Sequence, residues 1–139
     1  MVKERKGKRM KRFKAISEIA NVPDSNGTII TKEALRDIAE KFKDRVTCVS
    51  LILNFDIKQP IGIIQKIEFD GENLITEGEF IKEGEFHGYV VPSYIVEEDE
   101  WKEKSKELKR TIKKVRLMDF GLTGKPVNPS ISKFEFIES

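Results

Sequence analysis

Residues 61–80 constrain this chain more than any other stretch. Two runs, 61–69 and 74–80, flank Asp70-Gly71-Glu72-Asn73. The flanks are apolar and β-branched, and the centre is dense in turn formers. That combination predicts a β-hairpin. Just upstream, residues 46–55 form a largely apolar run with β-branched members, the pattern of a strand buried on both faces. The three runs are expected in one sheet.

The remaining elements are read from periodicity and punctuation. Residues 12–20 predict a first strand, with Phe13, Ala15 and Ile19 on one face and Lys14 and Glu18 on the other. Ile16 and Ser17 interrupt the alternation. Pro23-Asp24-Ser25-Asn26-Gly27 is turn chemistry. Thr31 suits the N-cap of a helix over 32–43, whose buried stripe would be Ala34, Leu35, Ile38, Ala39 and Phe42. Residues 89–96 predict a strand that Pro92 places at an edge or a bulge. Residues 98–114 predict an amphipathic helix. Trp101, Leu108, Ile112 and Val115 fall on one side, with acids in its first turn and bases near its end. Residues 117–122 and 132–137 close the chain as strands. The order β-α-β-β-β-β-α-β-β lacks the alternation of a parallel α/β fold. It predicts an α+β domain, a mostly antiparallel β-barrel or strongly bent sheet flanked by two helices.

Composition bounds the chemistry. At 139 residues, one domain is expected, over residues 12–139, preceded by an arm of residues 1–11. One cysteine, Cys48, excludes a disulfide framework and a cysteine-cluster zinc site. One histidine, His87, excludes a two-histidine metal site, and neither metal nor cofactor is expected. No apolar run approaches the ~18–20 residues of a membrane span, and the basic N-terminus lacks the apolar stretch of a secretory signal. A reducing compartment is expected. The net charge of +2 hides an asymmetry. Residues 1–14 hold Lys3, Arg5, Lys6, Lys8, Arg9, Lys11, Arg12 and Lys14 against one acid, Glu4. The rest of the chain is net acidic. Such a block is a solvated tail, a nucleic-acid contact or a dock for an acidic protein surface.

Three segments, in order, resemble the maturation (prohead) proteases of tailed phages. They are Asp24-Ser25-Asn26-Gly27-Thr28-Ile29-Ile30, Pro60-Ile61-Gly62, and Asp119-Phe120-Gly121-Leu122-Thr123-Gly124-Lys125-Pro126-Val127-Asn128-Pro129. The resemblance implies a small β-barrel flanked by helices, similar to herpesvirus assemblins, and serine endopeptidase activity on capsid or scaffold proteins. A serine nucleophile needs a base. The family's histidine, shortly before the Pro-Ile-Gly proline, falls on Phe55. Its serine, in a Ser-x-Gly-aromatic element, falls on Val91 of Val91-Pro92-Ser93-Tyr94. Its late-strand acid falls on Asp119. Two of the three positions are therefore apolar, and the family's helix before the serine strand is missing.

These substitutions point to a structural protein of the phage capsid, a decoration, cement or assembly factor without protease activity, located in the virion. An active protease with a displaced site and a nucleic-acid-binding module are the alternatives. In the first alternative His87 would serve Ser93, but six extended residues separate them by roughly 20 Å unless the chain folds sharply at Pro92. The expected partners are a capsid protein, copies of the chain itself, or nucleic acid through the arm, and no membrane. Trp101 is a core or interface anchor. Cys48 is expected as a buried small hydrophobe. Phe55, Val91 and Asp119 are expected to lie close together.

Overall fold

A computed structural model describes residues 11–45, 48–104 and 106–137, with the side chain of Lys104 left aside. The elements are β1 (Arg12–Ile19), β2 (Ile29–Ile30), α1 (Lys32–Lys43), β3 (Val49–Leu53), β4 (Pro60–Phe69), β5 (Asn73–Phe80), β6 (Tyr89–Lys104), β7 (Glu107–Thr123) and β8 (Glu135–Ile137). The predicted hairpin is β4–β5, antiparallel, with Phe69 opposite Leu74. Its turn is held by one carboxylate: Asp70 Oδ1 accepts from the backbone N–H of Glu72 (2.9 Å) and Asn73 (2.6 Å). Gly71 takes φ +102°, a conformation that disfavours any side chain. β3 pairs β4 antiparallel, so the three central runs do share a sheet.

The strand order is β2-β7-β3-β4-β5-β1-β8, with β6 on the other side of β7. β7 is the organising strand. Over Phe120–Leu122 it pairs β3 in parallel, over Thr111–Ile112 it pairs β2 in parallel, and along its length it pairs β6 antiparallel. β1 and β6 approach one another without a ladder between them. The sheet is therefore strongly curved but open.

Three expectations need correction. The helix predicted over 98–114 is absent among the described residues: 98–104 and 107–114 are the distal halves of β6 and β7, in register from Asp99 opposite Ile112 to Lys104 opposite Glu107. Glu and Lys favour helices, but a long cross-strand ladder and the burial of Ile112 and Val115 outweigh that weak propensity. Buried residues continue along β7 at Leu117, Phe120 and Leu122, their spacing changed where the β6–β7 ladder shifts register. With that helix gone, the α+β barrel flanked by two helices is wrong as well. The described residues form an open, mostly β fold with a single helix. Cys48 is exposed, not buried, because β3 begins only at Val49.

α1 begins where Thr31 accepts a hydrogen bond from Ala34 N–H (3.2 Å). Its buried residues Ala34, Leu35, Ile38 and Ala39 pack on β4 and β7. In β1 Ser17 continues the buried alternation of Phe13 and Ala15, and a bulge between Ile16 and Glu18 then sets Glu18 opposite the buried Leu74. The Ser17 hydroxyl donates to Thr76 Oγ1 (2.9 Å), satisfying both buried groups.

Candidate functional site

The gap between β1 and β6 is where the first and third of the quoted segments meet, while Pro60-Ile61-Gly62 lies on β4 between β3 and β5. The first and third dock on each other, with Ser25 donating to the Val127 carbonyl through both N–H (2.9 Å) and Oγ (2.7 Å). Asp24 shapes its own turn, accepting from the N–H groups of Asn26 and Thr28. Asn128, buried, reaches across the gap and donates to Glu18 Oε1 (2.8 Å). Between these parts lies a cavity of about 200 Å³, walled by Phe55, Val91, Val127 and Ile131, with Glu18 and Tyr94 among its polar lining.

Phe55 is held in an unusual way. Asn54 (φ +50°) and Phe55 (φ +60°) are successive left-handed residues in a tight turn closed by Asp56 N–H to the Leu53 carbonyl (3.0 Å). Such turns favour Asn-Gly, and a phenylalanine at the second position is strained. Asn54 N–H donates to the Leu122 carbonyl, tying the turn to β7. Asp56 accepts from Gln59 Nε2 and then Lys58 N–H, which hold its carboxyl below the usual range. The Phe55 ring lies directly over Gly121.

Phe55, Val91 and Asp119 come together on one face of the sheet. Val91 stands opposite Gly121, and Ser93 opposite Asp119. Directly paired residues share a face, as do residues two apart. Asp119 thus lies one pair along from the Phe55–Gly121–Val91 contact. Its Oδ1 is out of water and has no hydrogen-bond partner among the described residues, and burial pushes its carboxyl pKa up.

The His87–Ser93 relay is not assembled among the described residues. The Ser93 hydroxyl makes no hydrogen bond to Asp119 among the described residues. His87 is exposed, before Gly88, and β6 runs continuously from Tyr89 through Pro92 and Ser93. The sharp fold at Pro92 that would bring His87 to Ser93 does not occur. Among the described residues no group of three or more His, Cys, Asp or Glu could hold a metal ion. No helix among them is long and apolar enough to cross a membrane.

Of the predicted binding residues, Lys3, Arg5, Lys6, Lys8 and Arg9 lie outside the described residues. Lys11 Nζ stands 5.0 Å from the Phe136 ring, and Arg12 pairs with Glu77 (3.5 Å). Trp101 is 52% exposed on the β6–β7 ribbon, with the Arg110 guanidinium 5.3 Å from its ring and Arg110 Nε bonded to Asp99 Oδ2 (2.7 Å).

Sequence reasoning missed Glu18, Tyr94 and Asn128. Glu18 read as a solvated residue on the outer face of a strand. Its carboxyl pKa is raised, chiefly by burial, against the lowering effect of the Asn128 and Ile19 hydrogen bonds. Tyr94 is pushed up to about 12, first by burial and then by the charges of Glu18 and Asp24. The only sequence signal was the Asn-Pro turn at 128–129, which marks a turn but not what its side chain touches. No family model, no curated protein and no solved structure matches the chain, so the likeness to the prohead proteases rests on the quoted segments alone.

Proposed function

We propose that the protein is a non-enzymatic structural component of a tailed-phage capsid, a decoration, cement or assembly protein on a fold that has given up protease chemistry. One observation carries this reading. The positions that the resemblance assigns to base and nucleophile hold Phe55 and Val91, gathered around Gly121 on the same face as Asp119. Neither side chain can take or give a proton, and the arrangement packs apolar surface where a catalytic centre would need polar groups. The chain would act by contact, through the half-exposed Trp101 on its projecting ribbon and through the basic arm. Trp and Arg are favoured interface anchors.

The test has two arms. Gradient-purified phage heads from the source cells should contain the chain in fixed ratio to the shell protein. Absence from the heads would overturn the capsid role. A serine-directed fluorophosphonate should leave Ser93 unlabelled in the purified protein, and stoichiometric labelling there would favour the active protease instead. Retention on duplex DNA that falls steeply with salt, with no capsid attachment, would favour the nucleic-acid module.

A further inference from the structure

The cavity between β1 and β6 holds a carboxylate that forms no ion pair among the described residues. Glu18 Oε1 is engaged by Asn128 Nδ2 (2.8 Å) and by Ile19 N–H (3.1 Å). None of the ion pairs among the described residues includes Glu18, although burial raises the cost of its charge. Proteins ordinarily pair such a group. Here the space beside it is left open. At about 200 Å³ it is smaller than the cavities that take drug-sized ligands and suits a single side chain or a short amine.

The lining has two parts. Phe55, Val91, Val127 and Ile131 offer apolar surface to a hydrocarbon stem. Glu18, Asp24 and the Tyr94 hydroxyl offer oxygen acceptors to a charged head. Tyr94 stays protonated at neutral pH, since its pKa is about 12, and can also donate. Lys125 lines the same cavity but pairs with neither carboxylate. We propose that this cavity is a binding site for an alkylammonium or alkylguanidinium group, the chemistry carried by a lysine or arginine side chain. The head would sit against Glu18 with its stem along Phe55 and Val91. The site does not depend on the capsid reading. Its cation could come from a basic polypeptide segment, such as the Lys/Arg-rich residues 1–11 of a chain of this kind, or from a free amine.

The experiment uses the full chain and two probes, n-butylamine and a synthetic peptide of residues 1–11, followed by amide shifts at Ile19 and Asn128. Saturable shifts are expected. Tighter binding of the peptide identifies a polypeptide source, and equal or tighter binding of n-butylamine identifies a free amine. Glu18→Gln keeps an oxygen that can accept from Asn128 and Ile19 but removes the charge. It should weaken binding by roughly tenfold or more, the range for losing a charge-assisted contact. Glu40→Gln, on exposed helix surface, should leave binding unchanged. Should Glu18→Gln fail to fold, the wild-type chain still decides the matter: saturating n-butylamine must lower the apparent pKa of the Glu18 carboxyl. No saturable shift with either probe, equal affinity of Glu18→Gln, or an unmoved Glu18 pKa would overturn the proposal.

Discussion

Gly121→Ala isolates the contact on which the reading of Phe55 rests. Gly121 does not have a left-handed φ, so alanine is conformationally acceptable there, and in a strand it would ordinarily gain stability. A Cβ at this position, however, would stand 2.6 Å from Phe55 Cζ and closer still to two other ring atoms. The ring must move, yet its backbone is fixed by the tight turn and by the Asn54 bond to Leu122. Overpacking of this kind costs about 1–3 kcal/mol. Phe55→Gly should behave differently. It loses the packing of a ring that is already 43% exposed, well under the ~1.5–3 kcal/mol of a fully buried side chain. It also removes a left-handed penalty of about 1–2 kcal/mol. The two nearly cancel, so the single variant should be within about 1 kcal/mol of wild type by that balance. In the Phe55→Gly background the Gly121→Ala penalty should vanish, giving a coupling of about 1–3 kcal/mol. Urea unfolding of the four proteins measures it directly. An equal Gly121→Ala penalty in both backgrounds would refute the contact, and with it the grouping of Phe55 and Val91 around Gly121.

Ser17→Ala leaves the buried Thr76 hydroxyl without its partner and should cost about 1–3 kcal/mol in denaturant unfolding, while Ser17→Ala with Thr76→Val should recover most of it. Glu18 has a folded pKa above its ordinary value, so the native state holds its proton longer than the unfolded chain; its contribution to stability should fall as pH rises from the unfolded value through the folded one. Glu18→Gln should remove that pH-dependent loss, read as the difference between the two melting-temperature profiles, and a constant difference across the range would contradict the raised pKa. Trp101→Ala should cost only about 0.5–1 kcal/mol of stability, the value of an exposed cation–π pair, yet weaken attachment to capsids by much more. Equal losses in melting and attachment would make Trp101 a purely structural residue. Thr31→Ala should cost about 0.5–2 kcal/mol by removing the cap of α1, measured by thermal unfolding.

Local chemistry was legible where it acts within a few residues. The Asp70–Asn73 turn, the Thr31 cap and the stripe of α1 all follow from side chains that bond their own neighbouring backbone or repeat at a helical period. Three things needed the folded chain. The stretch 98–114 carries helix-forming Glu and Lys and a charge order that suits a helix dipole, but β6 and β7 pair with each other from Asp99–Ile112 to Lys104–Glu107, and β7 is held on its other edge at Thr111–Ile112 and Phe120–Leu122. Glu18 left its expected outer face because a one-residue bulge in β1 sets it opposite the buried Leu74, and the interrupted alternation at Ile16 and Ser17 did not say which way the strand would shift. Finally, the cavity joins Glu18, Phe55, Tyr94 and Asn128, which stand far apart in the sequence. Sequence spacing fixes what each residue does for its neighbours, whereas burial, and with it the raised pKa of Glu18 and Tyr94, depends on which distant segments close over it.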